Sequence, residues 1–242
     1  MFRQKLYSAG LLIYCSLINV SNIQKGSTSA AKTIVDHAAI ISQQSSATPS
    51  VFDLNPMALV YAKDYLKKNS WDLERVKKNS RSELHIINSV FSKFNIPPEL
   101  KYLAVVESNL DADTVCNSTG ATGIWQLMPV TACELGLKIN DEVDERLQVY
   151  KSSTAAAKYL KQLYAEFGDW LLVVAAYNSG PVRVTRAINL SGCRNFWQLQ
   201  SFLPAETRNH VKRFMSVLYF FEEQSKQPQN KIAPLTSQSI PA

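Results

Sequence analysis

The chain has 242 residues, of which 46% are hydrophobic, so it can bury a core and most of it is not expected to be disordered. Its 8 glycines and 10 prolines are few for this length, which argues against an all-β protein with many hairpins. The 26 basic and 20 acidic residues give a net charge of +6, a mild excess that disfavours a nucleic-acid-binding function.

The N-terminal segment has the order of regions that is typical of a secretion signal. Arg3 and Lys5 precede an uncharged apolar run over 6–20, and the small residues 27–31 follow it. The run is short for a spanning helix, which needs about 20 apolar residues, but an uncleaved anchor remains the alternative. We therefore expect residues 1–30 to be a signal peptide or an N-terminal anchor.

Two polar segments flank the body of the chain. Residues 31–52 are mostly small and polar and are expected to form a linker. Residues 224–242 contain three prolines and little apolar content, which predicts a disordered tail. The folded domain is therefore expected over 53–223.

Local signals predict helices almost throughout this body. Asn55 and Pro56 form a cap and a first helical position, and apolar residues keep helical spacing over 84–94. The two prolines within 95–98 end that helix and open the next one.

The second half of the body carries similar signals. Ser152 and Ser153 predict a helix start, Gly168 its end, and Asp169 the cap of the following helix. Pro204 opens a last long helix, whose apolar face is formed by Val211, Phe214, Leu218 and Phe221. We expect a mainly α fold of about eight to ten short helices.

Glu107 stands out because it lies at the end of an apolar helical stripe. The positions i, i+3, i+4 and i+7 of this stripe are Leu100, Leu103, Ala104 and Glu107. A carboxyl group at that place loses hydration, which favours its protonated form and suits a general acid. A helix-end glutamate that turns to solvent or pairs with Lys101 is the alternative.

Two other segments have compositions that suit a ligand-binding cleft. In 120–129, paired glycines are followed by an aromatic, an amide and a thioether, which could bind an uncharged polar ligand. In 175–181, a helix ends with a tyrosine and an asparagine. An ordinary interhelix loop and a plain helix-capping motif are the respective alternatives.

The cysteines and histidines show no metal-binding pattern. Cys116, Cys133 and Cys193 follow the predicted signal, and an odd number allows at most one disulfide, so unpaired thiols are favoured and one bridge is the alternative. Neither their spacing nor that of the 3 histidines matches a zinc site, and no metal site is predicted.

Several motifs follow one another in a set order. They are Glu107-Ser108, Gly120-Ala-x-Gly-x-x-Gln-x-Met-Pro129 and Ala-Ala-Tyr177-Asn178-x-Gly180, accompanied by segments 98–104, 143–146, 155–160, 168–171 and 203–208. This ordered set, which extends over 55–222, resembles the lytic transglycosylases of the soluble-lytic type.

The resemblance implies a lysozyme-like fold, a peptidoglycan substrate and no cofactor. In this family the bond cut is the β-1,4 link between N-acetylmuramic acid and N-acetylglucosamine. Glu107 would protonate the glycosidic oxygen and then act as the base, so that a 1,6-anhydro sugar end forms. The protein would act on glycan strands in the periplasm or cell envelope, with possible cell-wall or membrane association.

The resemblance also implies roles for six residues around the acid, which are Ser108, Gln126, Met128, Tyr177, Asn178 and Glu206. Ser108 would begin the turn after the catalytic helix, and Gln126 with Met128 would line the floor of the cleft. Tyr177 and Asn178 would contact the acetamido group of the sugar or orient the acid. Glu206 would be a ligand-side or structural carboxylate, with a first-turn glutamate stabilised by the helix dipole as the alternative.

Two positions depart from the family pattern. The family usually has a serine about nine residues after its glutamate, where this chain has Cys116, and it often has a tyrosine where this chain has His210. Two further functions stay open from sequence: a muramidase that delivers water on the same fold, and a non-catalytic peptidoglycan-binding protein.

Overall fold

The computed structural model describes Phe52 and residues 55–226. The predicted signal or anchor at 1–30, almost all of the predicted linker at 31–52 and most of the predicted tail at 224–242 lie outside the described residues, so their assignments remain predictions. Among the described residues, no helix combines the length and the apolar character that crossing a bilayer requires.

The described residues form nine α-helices and three short 3-10 helices, with isolated β-bridges but no sheet. The α-helices are α1 (Pro56–Asn79), α2 (Arg81–Phe94), α3 (Tyr102–Ser108), α4 (Pro129–Glu134), α5 (Val149–Phe167), α6 (Trp170–Ser179), α7 (Pro181–Ser191), α8 (Phe196–Leu199) and α9 (Ala205–Lys226). The 3-10 helices are Pro98–Lys101, Glu145–Leu147 and Gln200–Phe202. The mainly α prediction is confirmed.

Most helix ends lie where the local signals predict them. Asn95 ends α2 in the left-handed region at φ 53°, and Gly168 ends α5 at φ 66°. The Asp169 side chain accepts from the backbone N–H of Leu172 at 2.9 Å and so caps α6. These ends need only local chemistry, which is why sequence reasoning can find them.

The start of α5 differs from the prediction, because the helix begins at Val149 and not at Ser152 and Ser153. Both serines are buried inside the helix. Ser152 Oγ donates to the carbonyl of Gln148 at 2.9 Å, and Ser153 Oγ accepts from Trp125 Nε1 at 3.0 Å. Their hydroxyl groups therefore satisfy buried polar partners and do not cap the helix start.

Helix α3 is short and central. The apolar stripe that the sequence predicts before Glu107 begins in the preceding 3-10 helix and is fully buried at Leu100, Leu103 and Ala104. The long helix α9 packs against α1, α3 and α6, and the predicted face of α9 is buried along its length. The end of α3 therefore lies among elements that are distant in sequence, where their side chains can meet.

The segment between α3 and α4 is fixed to the core by Trp125. This side chain is fully buried, and its ring centroid lies 5.6 Å from that of Phe91 on α2. The paired backbone of Thr122 and Leu127 adds two hydrogen bonds of 3.2 and 3.3 Å. A loop without regular secondary structure is thereby held in one conformation next to α3.

Candidate active site

Glu107 lies in the last turn of α3, with 15% of its side chain exposed. Asn109 and Leu110 follow in the left-handed region at φ 57° and 60°, so the chain turns sharply directly after the carboxyl group. The stripe that precedes Glu107 is buried, and the glutamate is therefore held at the border between the core and solvent.

His210 of α9 is the polar partner of this carboxyl group. Its Nε2 lies 2.9 Å from Glu107 Oε1, and only 3% of the imidazole is exposed. In the sequence, His210 is a departure from a family pattern, and no local signal places it next to Glu107. Its side chain comes from a position 103 residues further along the chain.

Tyr177 of α6 also lies near Glu107. Its hydroxyl donates to the carbonyl of Trp125 at 2.7 Å, and its ring centroid lies 5.6 Å from that of Tyr159. Burial raises the pKa of Tyr177 well above its usual value, and the charge of Glu107 adds to that rise. Tyr177 therefore stays a neutral phenol and ties α6 to the segment that contains Gln126.

Gln126 lies in a tight turn of this segment, with a positive φ of 45°. Its Nε2 donates to the carbonyls of Thr114 at 3.1 Å and Gly123 at 2.9 Å. Ser108 Oγ donates to the carbonyl of Ile124 at 3.1 Å, which joins the end of α3 to the same turn. The segment and the end of α3 therefore form one hydrogen-bonded unit.

Arg146 holds this turn from the side of the core. Its buried guanidinium donates from Nη1 to the carbonyls of Gly120 at 2.6 Å and Leu127 at 3.0 Å. Nη2 pairs with Asp144 at 2.7 Å, and the hydrogen bonds from Arg146 lower the pKa of that carboxyl group. Asp144 and Arg146 belong to segment 143–146. The sequence places this segment in the family resemblance but assigns no role to either residue.

Replacing Asp144 with asparagine is expected to reduce the free energy of unfolding at neutral pH by about 2–3 kcal/mol, because the buried Arg146 charge loses its partner. The pKa of Asp144 is lowered in the folded state. The stability that Asp144 contributes is therefore present above its unfolded-state pKa of about 3.9. It is lost as the pH falls through the lower pKa of the folded state. Urea unfolding at pH 7 and at acid pH measures this.

The wild type is then expected to lose more stability on acidification than Asp144→Asn. Asp141→Asn is the matched control, because Asp141 is exposed and makes no ion pair within the described residues. Equal acid sensitivity of wild type and Asp144→Asn would contradict the role of the pair.

Three other predicted site residues make no side-chain hydrogen bond within residues 55–226. Met128 is 44% exposed and directly precedes α4. Asn178 is half-buried next to Tyr177 on α6. Glu206 is exposed in the first turn of α9, one turn before His210. No contact of Glu206 favours a ligand-side role over the helix-dipole alternative.

The three described cysteines are unpaired. Cys116 lies in the segment before Gly120, and its Sγ is 3.3 Å from the hydroxyl oxygen of Ser118. Hydrogen bonds from Ser118 and Thr119 lower the pKa of this thiol to about 7. Within the described part of the chain, no group of His, Cys, Asp and Glu side chains could hold a metal ion.

Comparison with known proteins bears on this site. Residues 86–200 match the family described as "Transglycosylase SLT domain". The chain is 38% identical over 158 residues to membrane-bound lytic murein transglycosylase D of Escherichia coli K12, covering 63% of this chain and 34% of that protein. It is 34% identical over 128 residues to a putative tributyltin chloride resistance protein of Alteromonas sp., covering 52% of this chain and 59% of that protein.

Solved structures show the same fold. The 70-kDa soluble lytic transglycosylase in complex with bulgecin A superposes with a TM-score of 0.54 at 22% identity, over 69% of this chain and 30% of that one. The Escherichia coli enzyme SLT70 gives a TM-score of 0.51 at 21% identity, over 81% of this chain and 34% of that one.

The chain thus spans about a third of the length of the Escherichia coli relative, with 34% of that protein covered. The matched family region contains Glu107 and Tyr177, whereas His210 lies beyond it. The expected resemblance and the lysozyme-like fold are both confirmed. Residues 86–200 therefore form a region similar to the transglycosylase SLT domain, and the chain resembles lytic transglycosylases that carry such a domain.

Proposed function

We propose that this protein is a peptidoglycan lytic transglycosylase. It cleaves the β-1,4 bond between N-acetylmuramic acid and N-acetylglucosamine and leaves 1,6-anhydromuramic acid ends. The observation that carries the proposal is Glu107, a largely buried carboxyl group at the end of α3 that lies within hydrogen-bonding distance of a histidine. The SLT domain match supports the same chemistry.

The proposed reaction uses one carboxyl group twice. Protonated Glu107 gives its proton to the glycosidic oxygen, the bond from that oxygen to C1 breaks, and the N-acetylglucosamine side leaves as an alcohol. The 6-hydroxyl of the muramic acid then attacks C1 of the oxocarbenium-like sugar and returns its proton to Glu107. No water is consumed, and the carboxyl group ends in its starting state.

The surroundings of Glu107 support this scheme over two-carboxylate hydrolysis. Glycosidases mostly use a pair of carboxylates about 5–9.5 Å apart, of which one is a nucleophile or activates water. Among the described residues, the side-chain hydrogen-bond partner of Glu107 is His210 and not a second carboxylate. A single acid at this position favours capture of the sugar by its own hydroxyl group.

The other predicted site residues would bind the glycan strand. Gln126 keeps its side-chain oxygen unpaired within the described residues, so that this oxygen can accept from a sugar N–H or O–H. Met128 and Asn178 would contact the sugars on either side of the cleaved bond. Ser108 and Tyr177 would support the site through their backbone partners, and Glu206 would lie at its edge.

An envelope location fits this substrate. The Escherichia coli relative is described as membrane-bound. The N-terminal sequence has the features of a secretion signal or anchor, so we place the protein in the periplasm or cell envelope with peptidoglycan strands as its partner. The proposed chemistry requires no cofactor, because the acid and the nucleophile come from Glu107 and the substrate.

Mass analysis of muropeptides released from purified sacculi tests the proposal. A lytic transglycosylase is expected to release anhydro ends, which are lighter by one water than reducing ends. Digestion in heavy-oxygen water adds a second criterion, because only a hydrolase places solvent oxygen in the product. Reducing ends would show a muramidase, and co-sedimentation with sacculi without release would show a binding protein.

A further inference from the structure

We propose that His210 is a positioning residue that stays neutral, donates its Nε2–H to Glu107 Oε1 and thereby leaves Oε2 as the oxygen that carries the catalytic proton. This inference rests on the proposed function for its catalytic meaning. Its structural part, the protonation state of the imidazole, can be tested without substrate.

The contact between the two side chains is direct and nearly dry. His210 Nε2 and Glu107 Oε1 are 2.9 Å apart, with 3% of the imidazole and 15% of the glutamate side chain exposed. Both helices that supply them, α3 and α9, are packed against each other. A hydrogen bond between buried groups in such a setting has a defined geometry, because little water competes for either partner.

The other ring nitrogen determines which protonation state fits. His210 Nδ1 is fully buried and has no hydrogen-bond partner in the described residues. A charged imidazole, or the neutral form protonated on Nδ1, would leave a buried N–H without an acceptor, which costs more than an unpaired lone pair. The neutral form protonated on Nε2 carries no proton on Nδ1 and so avoids this cost. In this form the imidazole donates to Glu107.

This donation distinguishes the two oxygens of the carboxyl group. Oε1 accepts from His210, whereas Oε2 has no partner in the described residues and is not among their fully buried unpaired atoms. The charge of Glu107 also acts on Tyr177, whose hydroxyl is occupied by the carbonyl of Trp125. Oε2 therefore remains the oxygen that can reach the glycosidic bond.

Two replacements of His210 separate its hydrogen bond from its bulk. His210→Gln keeps a neutral N–H donor at a similar reach and is expected to retain turnover on sacculi within a few-fold. His210→Leu removes the donor and is expected to lose about 10- to 100-fold in turnover, because the carboxyl group is no longer oriented. Urea unfolding of each variant shows whether it is folded.

His85→Gln is the matched control, because His85 is exposed on α2 and lies outside the site. It is expected to keep full turnover. Wild-type turnover of His210→Leu, or a loss in His210→Gln equal to that of a folded His210→Leu, would overturn the positioning role.

Nitrogen NMR of the full chain tests the tautomer independently of activity. Long-range proton–nitrogen correlations are expected to show His210 with a protonated Nε2 and a bare Nδ1 at the pH of the turnover assay, and the His210→Gln spectrum assigns the signal. A charged ring or a protonated Nδ1 would overturn the proposal. If the wild type does not cleave sacculi, the proposed function fails, while the tautomer result still stands or falls by itself.

Discussion

Glu107→Gln is expected to reduce the release of muropeptides from sacculi by about 10³-fold, because the reaction loses both its acid and its base. The amide has the shape of the carboxyl group, and its oxygen can still accept from His210 Nε2, which lies 2.9 Å from Oε1 in the wild type. The substrate cleft should therefore persist. Retained co-sedimentation of the variant with sacculi, measured beside turnover, would show this.

Glu74→Gln is the matched control for this result. Glu74 is an exposed glutamate on α1, and the same change of charge there is expected to leave turnover unaltered. Turnover of Glu107→Gln at the wild-type rate would reject Glu107 as the acid. Loss of both turnover and binding would instead point to a collapse of the site, which the unfolding curve would reveal.

Gly123→Ala is expected to reduce the free energy of unfolding by about 2–5 kcal/mol, the sum of a left-handed residue and a steric overlap. Gly123 has φ +78°, and a methyl group there would overlap the carbonyl oxygen of Arg146. The overlap involves backbone on both sides, so neither group can rotate away. Turnover is expected to fall as well, because the turn that contains Gln126 must shift.

Gly168→Ala separates the cost of the left-handed backbone from the cost of the steric overlap. Gly168 also has a positive φ, +66°, but nothing lies within 4 Å of the position that a methyl group would occupy. This variant should lose only about 1–2 kcal/mol, the cost of the left-handed backbone, and should keep its turnover. Equal losses in the two variants, measured by urea unfolding, would contradict the importance of the contact between Gly123 and Arg146.

The helices could be predicted from sequence because their signals are local. Gly168 and Asp169 mark the boundary between α5 and α6 by backbone and side-chain chemistry that needs no distant partner. The start of α5 could not be predicted in this way. Ser153 is a good helix cap in isolation, but here its hydroxyl serves the buried indole of Trp125, a partner 28 residues away.

In the candidate site, too, local signals could be predicted from sequence and contacts between distant segments could not. Glu107 could be found because it continues a local apolar stripe. His210 also lies on a buried face with Val211 and Phe214, at helical spacing, so a histidine inside an apolar stripe was the available signal. Its partner could not be inferred, because only the packing of α9 on α3 brings the two together.

The role of Arg146 could not be predicted from sequence for a different reason. Its role depends on carbonyl groups of Gly120 and Leu127, and backbone acceptors leave no trace in a sequence pattern. The resemblance indicated that segment 143–146 belongs to the family, but only the structure shows that its arginine organises the turn that contains Gln126.

The distance of 103 residues between the acid and its histidine has a consequence for biosynthesis. A growing polypeptide that still lacks α9 can form α3 but cannot supply the imidazole or cover the apolar side of α3. The proposed site is therefore incomplete until α9 has been synthesised and has packed on α3. Under the proposed function, a nascent chain without α9 would lack the histidine that orients its acid and would therefore be expected to cleave glycan strands poorly.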